Sequence, residues 1–244
     1  MPCTLPASLA DAAVCRGSFH AVLGGEAEDT VFADFSAALQ KAQAEGRILT
    51  ASLFRYENHL FFYAEGLNRP FTPQGLCPAL DAALLPWPPA LGEAAPRPWA
   101  AMQPYFYHDV PTTAADWQRG RCPQRRRGRI ALLPPDSWCS YMEHHLRIVT
   151  EGLVEGDRWH LICVQEGVLF SYLEEPRTNV NIKHRPGAHS PELDAWIAAD
   201  PESHFARFTP EQKAHPDSGH NFVFLPRIAG TEDLNYDSRP EMAD

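Results

Sequence analysis

The chain predicts an α+β fold of two tandem ferredoxin-like units, each β-α-β-β-α-β, packed sheet to sheet around a barrel-like core. Three observations carry this. The order of strand-like and helix-like periodicities occurs twice along 244 residues. LFFYAE at 60–65 returns as LFSYLE at 169–174, an offset of 109 residues, and self-similarity at a fixed offset marks a duplicated unit. A split βαβ unit covers only one face of its four-stranded sheet with helices. The bare faces of two such units must therefore bury each other.

Residues 1–16 read as a lead-in and 18–25 as a strand. A helix over 26–46 follows, with Val31, Phe32, Phe35, Ala38 and Leu39 at helical spacing, acids in its first turn and Gly46 as its stop. Residues 47–66 give two strands around a turn at Glu57-Asn58. A short helix near 78–85 and a strand over 99–110 close the first half. The second half repeats the order: a strand at 129–135, a helix at 136–152 with an Asp or Ser N-cap, and two strands in 158–175 around Glu166-Gly167. A helix at 190–208 interrupted by Pro201 and a strand at 221–230 complete it. The units are set at 17–110 and 129–230. The arginine-rich stretch 111–128, running into RCPQRRRGR, is expected to be a solvated connector.

Composition bounds the function. With 44% hydrophobic and 21% charged residues the chain has material for a core. A net charge of −10 opposes general nucleic-acid binding. The six cysteines form no C-x-x-C pair and no zinc-finger spacing, which suits a reducing compartment without disulfides. No run reaches the roughly 18 apolar residues of a membrane span and no signal-peptide pattern is present, so the expected location is the cytoplasm.

The chemistry concentrates in SYMEHHLRIVTEG, 140–152. Trp138, Met142, Leu146 and Val149 fall on one helical stripe, taken as the packing stripe, and Tyr141, His145 and Ile148 on the next. Tyr141 and His145 share a side one turn apart, while His144 points roughly 100° away. An imidazole titrating near neutrality beside a phenol suits proton transfer. At the offset of 109 the same two slots hold Phe32 and Ser36, so the second half is the active candidate.

These residues resemble the L-rhamnose mutarotase family. The resemblance rests on the strand RIALLPP, a helix carrying Tyr141-x-x-x-His145, and paired strands ending Leu169-Phe170-Ser171-Tyr172-Leu173-Glu174. It covers mainly 129–228, with the first half as a diverged copy in place of a second subunit. It implies an intramolecular dimeric α/β barrel, interconversion of sugar anomers, the helix histidine His145 as proton donor, and no cofactor. Tyr141 and His160 would be its catalytic partners, His160 standing where the family has a strand tyrosine. Trp159, Tyr172, Trp196 and the pair His204-Phe205 would contact the substrate, a monosaccharide, and the protein would be a monomer or homodimer.

Three other readings stand beside this one. The fold could hold a small ligand without catalysis. It also resembles chlorite dismutase-like haem proteins, in which His184, His189, His204 or His145 would ligate iron. His184, His189, His215 and His220 could bind a metal, although no carboxylate or cysteine stands at convincing spacing and none is expected. The sequence lacks G-x-S-x-G, phosphate-loop and G-x-G-x-x-G motifs.

Overall fold

A computed structural model of the protein describes residues 6–119, 123–177, 182–212 and 218–231. In the first half, β1 (Val14–Val22), α1 (Asp29–Ala44), β2 (Ile48–Tyr56), β3 (His59–Leu67), α2 (Pro78–Ala83) and β4 (Ala100–Ala101) follow one another, then β5 (Gln103–Tyr107). The second half runs β6 (Arg125–Leu132), α3 (Pro135–Glu151), β7 (Val154–Glu155), β8 (Leu161–Gln165) and β9 (Val168–Glu175). It continues through β10 (Lys183–His184), α4 (Pro191–Ala198), β11 (Val223–Leu225) and β12 (Arg227–Gly230). Glu57 and Glu166, with φ of 53° and 50°, make the two hairpin turns at corresponding places. The α3 helix has no side-chain cap. It opens at Pro134, with Pro135 as first residue and Asp136 in the first turn, in place of the expected Asp or Ser cap.

Two five-stranded antiparallel sheets result, ordered β12-β2-β3-β1-β4 and β11-β6-β9-β8-β5. Each final strand of a half is split between them. Thus β4 pairs with β1 of its own sheet, whereas β5 joins β8 of the other. Likewise β11 pairs with β6 and, beyond Pro226, β12 joins β2. Proline has no N–H for a continuous ladder, which suits a strand changing sheets there.

The expected barrel does not form. Both sheets are open, with β12 and β4, and β11 and β5, as their ends. They stack as the two inner layers of a helix–sheet–sheet–helix sandwich. Nor is there a lumen between them, because aromatic side chains fill that space. Phe54, Phe61 and Tyr63 of one sheet meet Phe170 and Tyr172 of the other, with Tyr63 and Tyr172 stacked at 3.7 Å between ring centroids. The fit is close enough that a Cβ on Gly128 would lie 2.7 Å from the Phe54 ring. Gly128→Ala is expected to cost about 1–3 kcal/mol by overpacking, read as a lowered urea midpoint.

The outer layers are apolar on their inner sides. The α1 helix buries Phe32, Phe35, Leu39 and Ala42 against the first sheet. The α3 and α4 helices cover the second sheet. Ser190 caps α4 by accepting from the Leu193 N–H at 3.0 Å. The helix expected over 190–208 ends at Ala198 and restarts as a short 3-10 turn, Pro201–His204.

The stretch expected to be a solvated connector is partly core. Arg119 is 8% exposed and is held by two carboxylates that are nearly inaccessible. Its guanidinium donates to Glu65 at 2.9 and 2.8 Å and to Glu174 at 3.1, 2.8 and 2.7 Å. Tyr63 and Tyr172 each donate to the carboxylate two residues on, both at 2.7 Å, and Trp117 Nε1 donates to Glu65 at 3.0 Å. These glutamates are the last residues of the repeated L-F-x-Y-x-E, so the recurrence brings two like charges together; Arg119 bridges them, and Arg126 Nε lies 3.8 Å from Glu174 as a second cation. Burial pushes the Glu65 carboxyl up, but the Arg119 charge and hydrogen bonds outweigh it and bring Glu65 to about 2. Residues Arg125 to Arg127 open β6.

Among the described residues no helix is long and apolar enough to cross a membrane, and Cys15, Cys77, Cys139 and Cys163 are free thiols.

Candidate functional site

The expected packing stripe on α3 holds only in part: Met142 and Val149 pack against the core, but Trp138 and Leu146 do not. The side facing the sheet carries Tyr141, His145 and Ile148, while Trp138 and Leu146 are 42% and 47% exposed. Hydrophobic periodicity identifies two neighbouring stripes but not which one the sheet covers. Here the aromatic rings of β5 and α4 decide it. The His145 ring lies edge-on to Phe106 at 4.7 Å and to Trp196 at 4.6 Å. Tyr141 packs edge-on to Trp196 at 5.2 Å and Phe205 at 5.1 Å. Glu143 and Arg147 face solvent and pair with each other at 2.6 Å.

Between this face of α3, the start of α4 and the outer face of the second sheet lies a cavity of about 400 Å³, within the range of small-molecule sites. It therefore sits under the helices and not between the sheets. Of the residues singled out in the sequence, Tyr141, His145, His160, Trp196 and Phe205 line it. His204 stands behind the wall, its ring 5.4 Å from Trp196 and 6.0 Å from Tyr141.

Trp159 and Tyr172, expected to contact the same substrate, lie elsewhere. Trp159 packs edge-on to Trp117 at 4.8 Å and under the Arg119 guanidinium at 4.6 Å. Tyr172 belongs to the layer between the sheets, because strand alternation turns it to the face opposite the helices.

The cavity also contains residues that sequence reasoning did not select: His108, Arg129, Asp157, Arg177 and Glu202. A signal existed for Arg129. It alternates with Ala131 and Leu133, so it occupies an inward position of a strand whose neighbours on that face are apolar. His108 follows the end of β5, and its ring lies against the backbone at Gly156, where an added Cβ would be 2.0 Å away. A residue other than glycine at 156 would expel His108 from its place. Arg177 donates to Asp157 at 3.3 Å, and Glu202 accepts from the Asn221 side-chain amide.

The three imidazoles are all held neutral at pH 7. Burial lowers His145 to about 4, partly offset by its hydrogen bond to the Tyr141 carbonyl. Burial lowers His108 to about 4 as well, against the opposing pull of Asp157. His160 is depressed further, by burial and then by the Arg129 charge. The His145 Nδ1 donates to the Tyr141 carbonyl at 2.9 Å, so Nε2 keeps its lone pair. The His160 Nε2 is sealed from solvent without a hydrogen-bond partner. Burial raises the Tyr141 phenol well above its usual range, so it carries its proton in the resting site.

These depressed values make a stability prediction. His20, in the first half, is also lowered to about 4 by burial, against the pull of a hydrogen bond to Gln165. Below pH 6.5 the unfolded chain takes up protons that folded His20 and His145 refuse. Stability is thus complete above pH 6.5 and falls as the pH drops toward 4, by up to about 3 kcal/mol per histidine. Urea midpoints at pH 7.0 and 4.5 measure it, and equal midpoints would refute it.

The histidines considered for haem ligation are not gathered: His184 and His189 are at the surface, His204 is behind the cavity wall, and His145 alone lines the cavity. A carboxylate missed in the sequence joins the first two. His184, His189 and Asp194 bring one ligand atom each within 4.8 Å of one another. The His184 Nδ1 accepts from the Ser190 N–H at 3.1 Å, so its Nε2 carries the proton toward Asp194, 3.9 Å away. Of these contacts only that from Ser190 is a hydrogen bond, and the two imidazoles stand near Asp194 as a loose cluster at an exposed edge. His215 lies outside the described residues.

No known protein family matches the chain, that of the L-rhamnose mutarotases included, and no curated protein matches it. Three solved structures are similar at a distant level. One is a provisionally assigned monooxygenase from Lactobacillus acidophilus NCFM, with a TM-score of 0.41 and 6% identity over 91% of this chain and 97% of that one. A second, provisionally assigned in the same way, comes from Fusobacterium nucleatum subsp. nucleatum ATCC 25586, with a TM-score of 0.38 and 10% identity over 94% and 99%. The third is an anthrone oxidase-like protein, at 0.38 and 7% over 95% and 97%. Likeness at this level assigns neither activity nor ligand.

Proposed function

We propose that the cavity binds a small hydroxylated molecule of monosaccharide size, and that His145 moves protons on it so that the protein interconverts sugar anomers. The observation that carries this reading is the His145 imidazole itself. It is buried and neutral, its Nδ1 is engaged by the Tyr141 carbonyl, and its Nε2 is left for a ligand. Trp196 and Phe205 supply apolar ring surface for the sugar.

The electrostatics alter the role that the resemblance implies. An imidazole lowered to about 4 is a proton acceptor at neutral pH, not a donor. His145 Nε2 takes the proton of the anomeric hydroxyl. As the bond from the anomeric carbon to the ring oxygen breaks, the Tyr141 phenol gives its proton to that oxygen. One proton leaves the sugar and one enters it, so the open-chain aldehyde is neutral. After rotation the same transfers run in reverse and the other anomer is released. The rate should be flat from pH 8 down to about 5 and fall with an inflection near 4.

The weak basicity of His145 favours one other reading, in which the cavity holds the ligand without reacting with it. Saturation-transfer NMR on the anomeric protons of a monosaccharide panel separates the two. Faster exchange with wild type and not with His145→Ala supports catalysis. Binding without faster exchange supports the non-catalytic reading, and neither binding nor exchange refutes both.

A further inference from the structure

We propose that the ligand of this cavity carries a negatively charged oxyanion group, and that Arg129 is its anchor. The inference deepens the reading above, on which its sugar component rests. It starts from charge accounting. Four ionised side chains line the cavity: Arg129, Arg177, Asp157 and Glu202. Arg177 is engaged by Asp157. Glu202 is engaged by the Asn221 amide.

Two of the four have no ion-pair partner among the described residues: Glu202, which accepts from the neutral Asn221 amide and attracts Arg129 only from beyond ion-pair distance, and Arg129 itself. Among the described residues no carboxylate stands within ion-pair distance of it, and its Nε is shut off from solvent with no hydrogen-bond acceptor. Its one close contact is with a ring, the guanidinium carbon lying 4.3 Å from the Phe222 centroid. A ring face holds the plane of a guanidinium but leaves its edge N–H groups free. Burying such a charge without an anion is costly. Burial accordingly lowers Arg129 to about 10, a value that still leaves it fully charged at neutral pH.

The fold keeps this cost in place. Arg129 is on a central strand, paired with Ser171 on one side and Phe224 on the other. Its backbone cannot turn the side chain outward without a register slip that would also move Ile130 out of the layer between the sheets. The guanidinium fork is thus pre-set at the floor of the cavity, in the geometry that receives a carboxylate or phosphate through two N–H groups. His160 lines the same cavity, and its Nε2 has no hydrogen-bond partner. A ligand hydroxyl reaching it would supply the missing partner, as donor or acceptor according to the imidazole tautomer. A hydroxy acid of sugar size, such as a uronate, meets both demands, and a sugar phosphate meets the first by the same chemistry.

The test is a calorimetric panel on the wild-type protein: glucose, glucuronate, galactose, galacturonate, glucose 6-phosphate and benzoate. The proposal expects each uronate or the phosphate ester to bind at least about tenfold more tightly than its neutral parent, as one charged contact contributes. Which of the two anions is preferred identifies the group. Arg129→Gln should erase the preference and Arg129→Lys should keep part of it. The acid-to-neutral ratio in wild type stands as a test even if a variant fails to fold. Neutral sugars binding as tightly as their acids would overturn the anchor while leaving the hydroxylated-ligand reading intact. Benzoate binding that depends on Arg129, without binding of any sugar, would sustain the anchor and overturn that reading. No binding by any anion in the panel overturns the anchor.

Discussion

Arg119→Ala is expected to destabilise the protein by about 3–5 kcal/mol, the cost of leaving buried charges without their partner. Two carboxylates, Glu65 and Glu174, would remain in the layer between the sheets, each 0–2% exposed. The pH dependence is the sharper readout. In wild type the Arg119 charge holds Glu65 at about 2, so this carboxylate stabilises the fold fully above the ordinary carboxylate range, and the contribution is lost progressively from there as pH falls to about 2. Without Arg119, burial is the largest influence left on Glu65 and raises its carboxyl above the unfolded value. Protonation of Glu65 then favours the folded state, and stability declines as pH rises through the raised value. The variant should therefore gain on wild type as pH is lowered from 7 to 5 in urea titrations. A parallel loss at all pH values would mean that Arg119 contributes packing and not charge. Replacing all three residues together by apolar ones should recover much of the loss, because a buried ionic triad is often no more stabilising than a packed apolar group.

His145→Ala should lower the anomer-exchange rate by about 10²–10⁴, the usual contribution of a positioned acid or base, while the chain stays folded. His144→Ala should leave the rate near wild type. The His144 ring leans on Trp196 at 5.4 Å but does not line the cavity. The His145 variant has a second signature independent of substrate. It removes one of the groups that resist protonation, so the difference between urea midpoints at pH 7.0 and 4.5 should shrink. Equal loss of exchange in both variants would place the chemistry elsewhere on α3.

Much of the element order is legible because its signals are local. The hairpin turns at Glu57-Asn58 and Glu166-Gly167, the interruption at Pro201 and the recurrence of L-F-x-Y-x-E all lie within a few residues of chain. The split of the final strands is not local. Residues 99–110 read as one strand, yet Ala100–Ala101 and Gln103–Tyr107 belong to different sheets, and only the edge of the partner half explains the change. The two stripes of α3 show the same limit. Tyr141-His145-Ile148 and Trp138-Met142-Leu146 are both periodic, and the rings of Phe106 and Trp196 choose between them. A helix bearing Tyr141 and His145 within one turn could be found in the sequence. Arg129 left only the signal of its alternation with Ala131 and Leu133, and the companions His108 and Arg177 left none, since they come from separate elements with no common spacing.

By itself the sequence determined that the chain is duplicated, that each copy alternates strands and helices in one order, and that a tyrosine and histidine share a helix side in the second copy alone. Periodicity and turn chemistry suffice for that, because both act between near neighbours. Only the tertiary structure decided that two open sheets stack without a barrel, that the repeated Tyr-x-Glu motif becomes an ion cluster closed by Arg119, and that the cavity lies beneath α3 and α4. Those outcomes depend on which faces meet, and that is settled by the shape and charge of side chains more than a hundred residues apart in the chain.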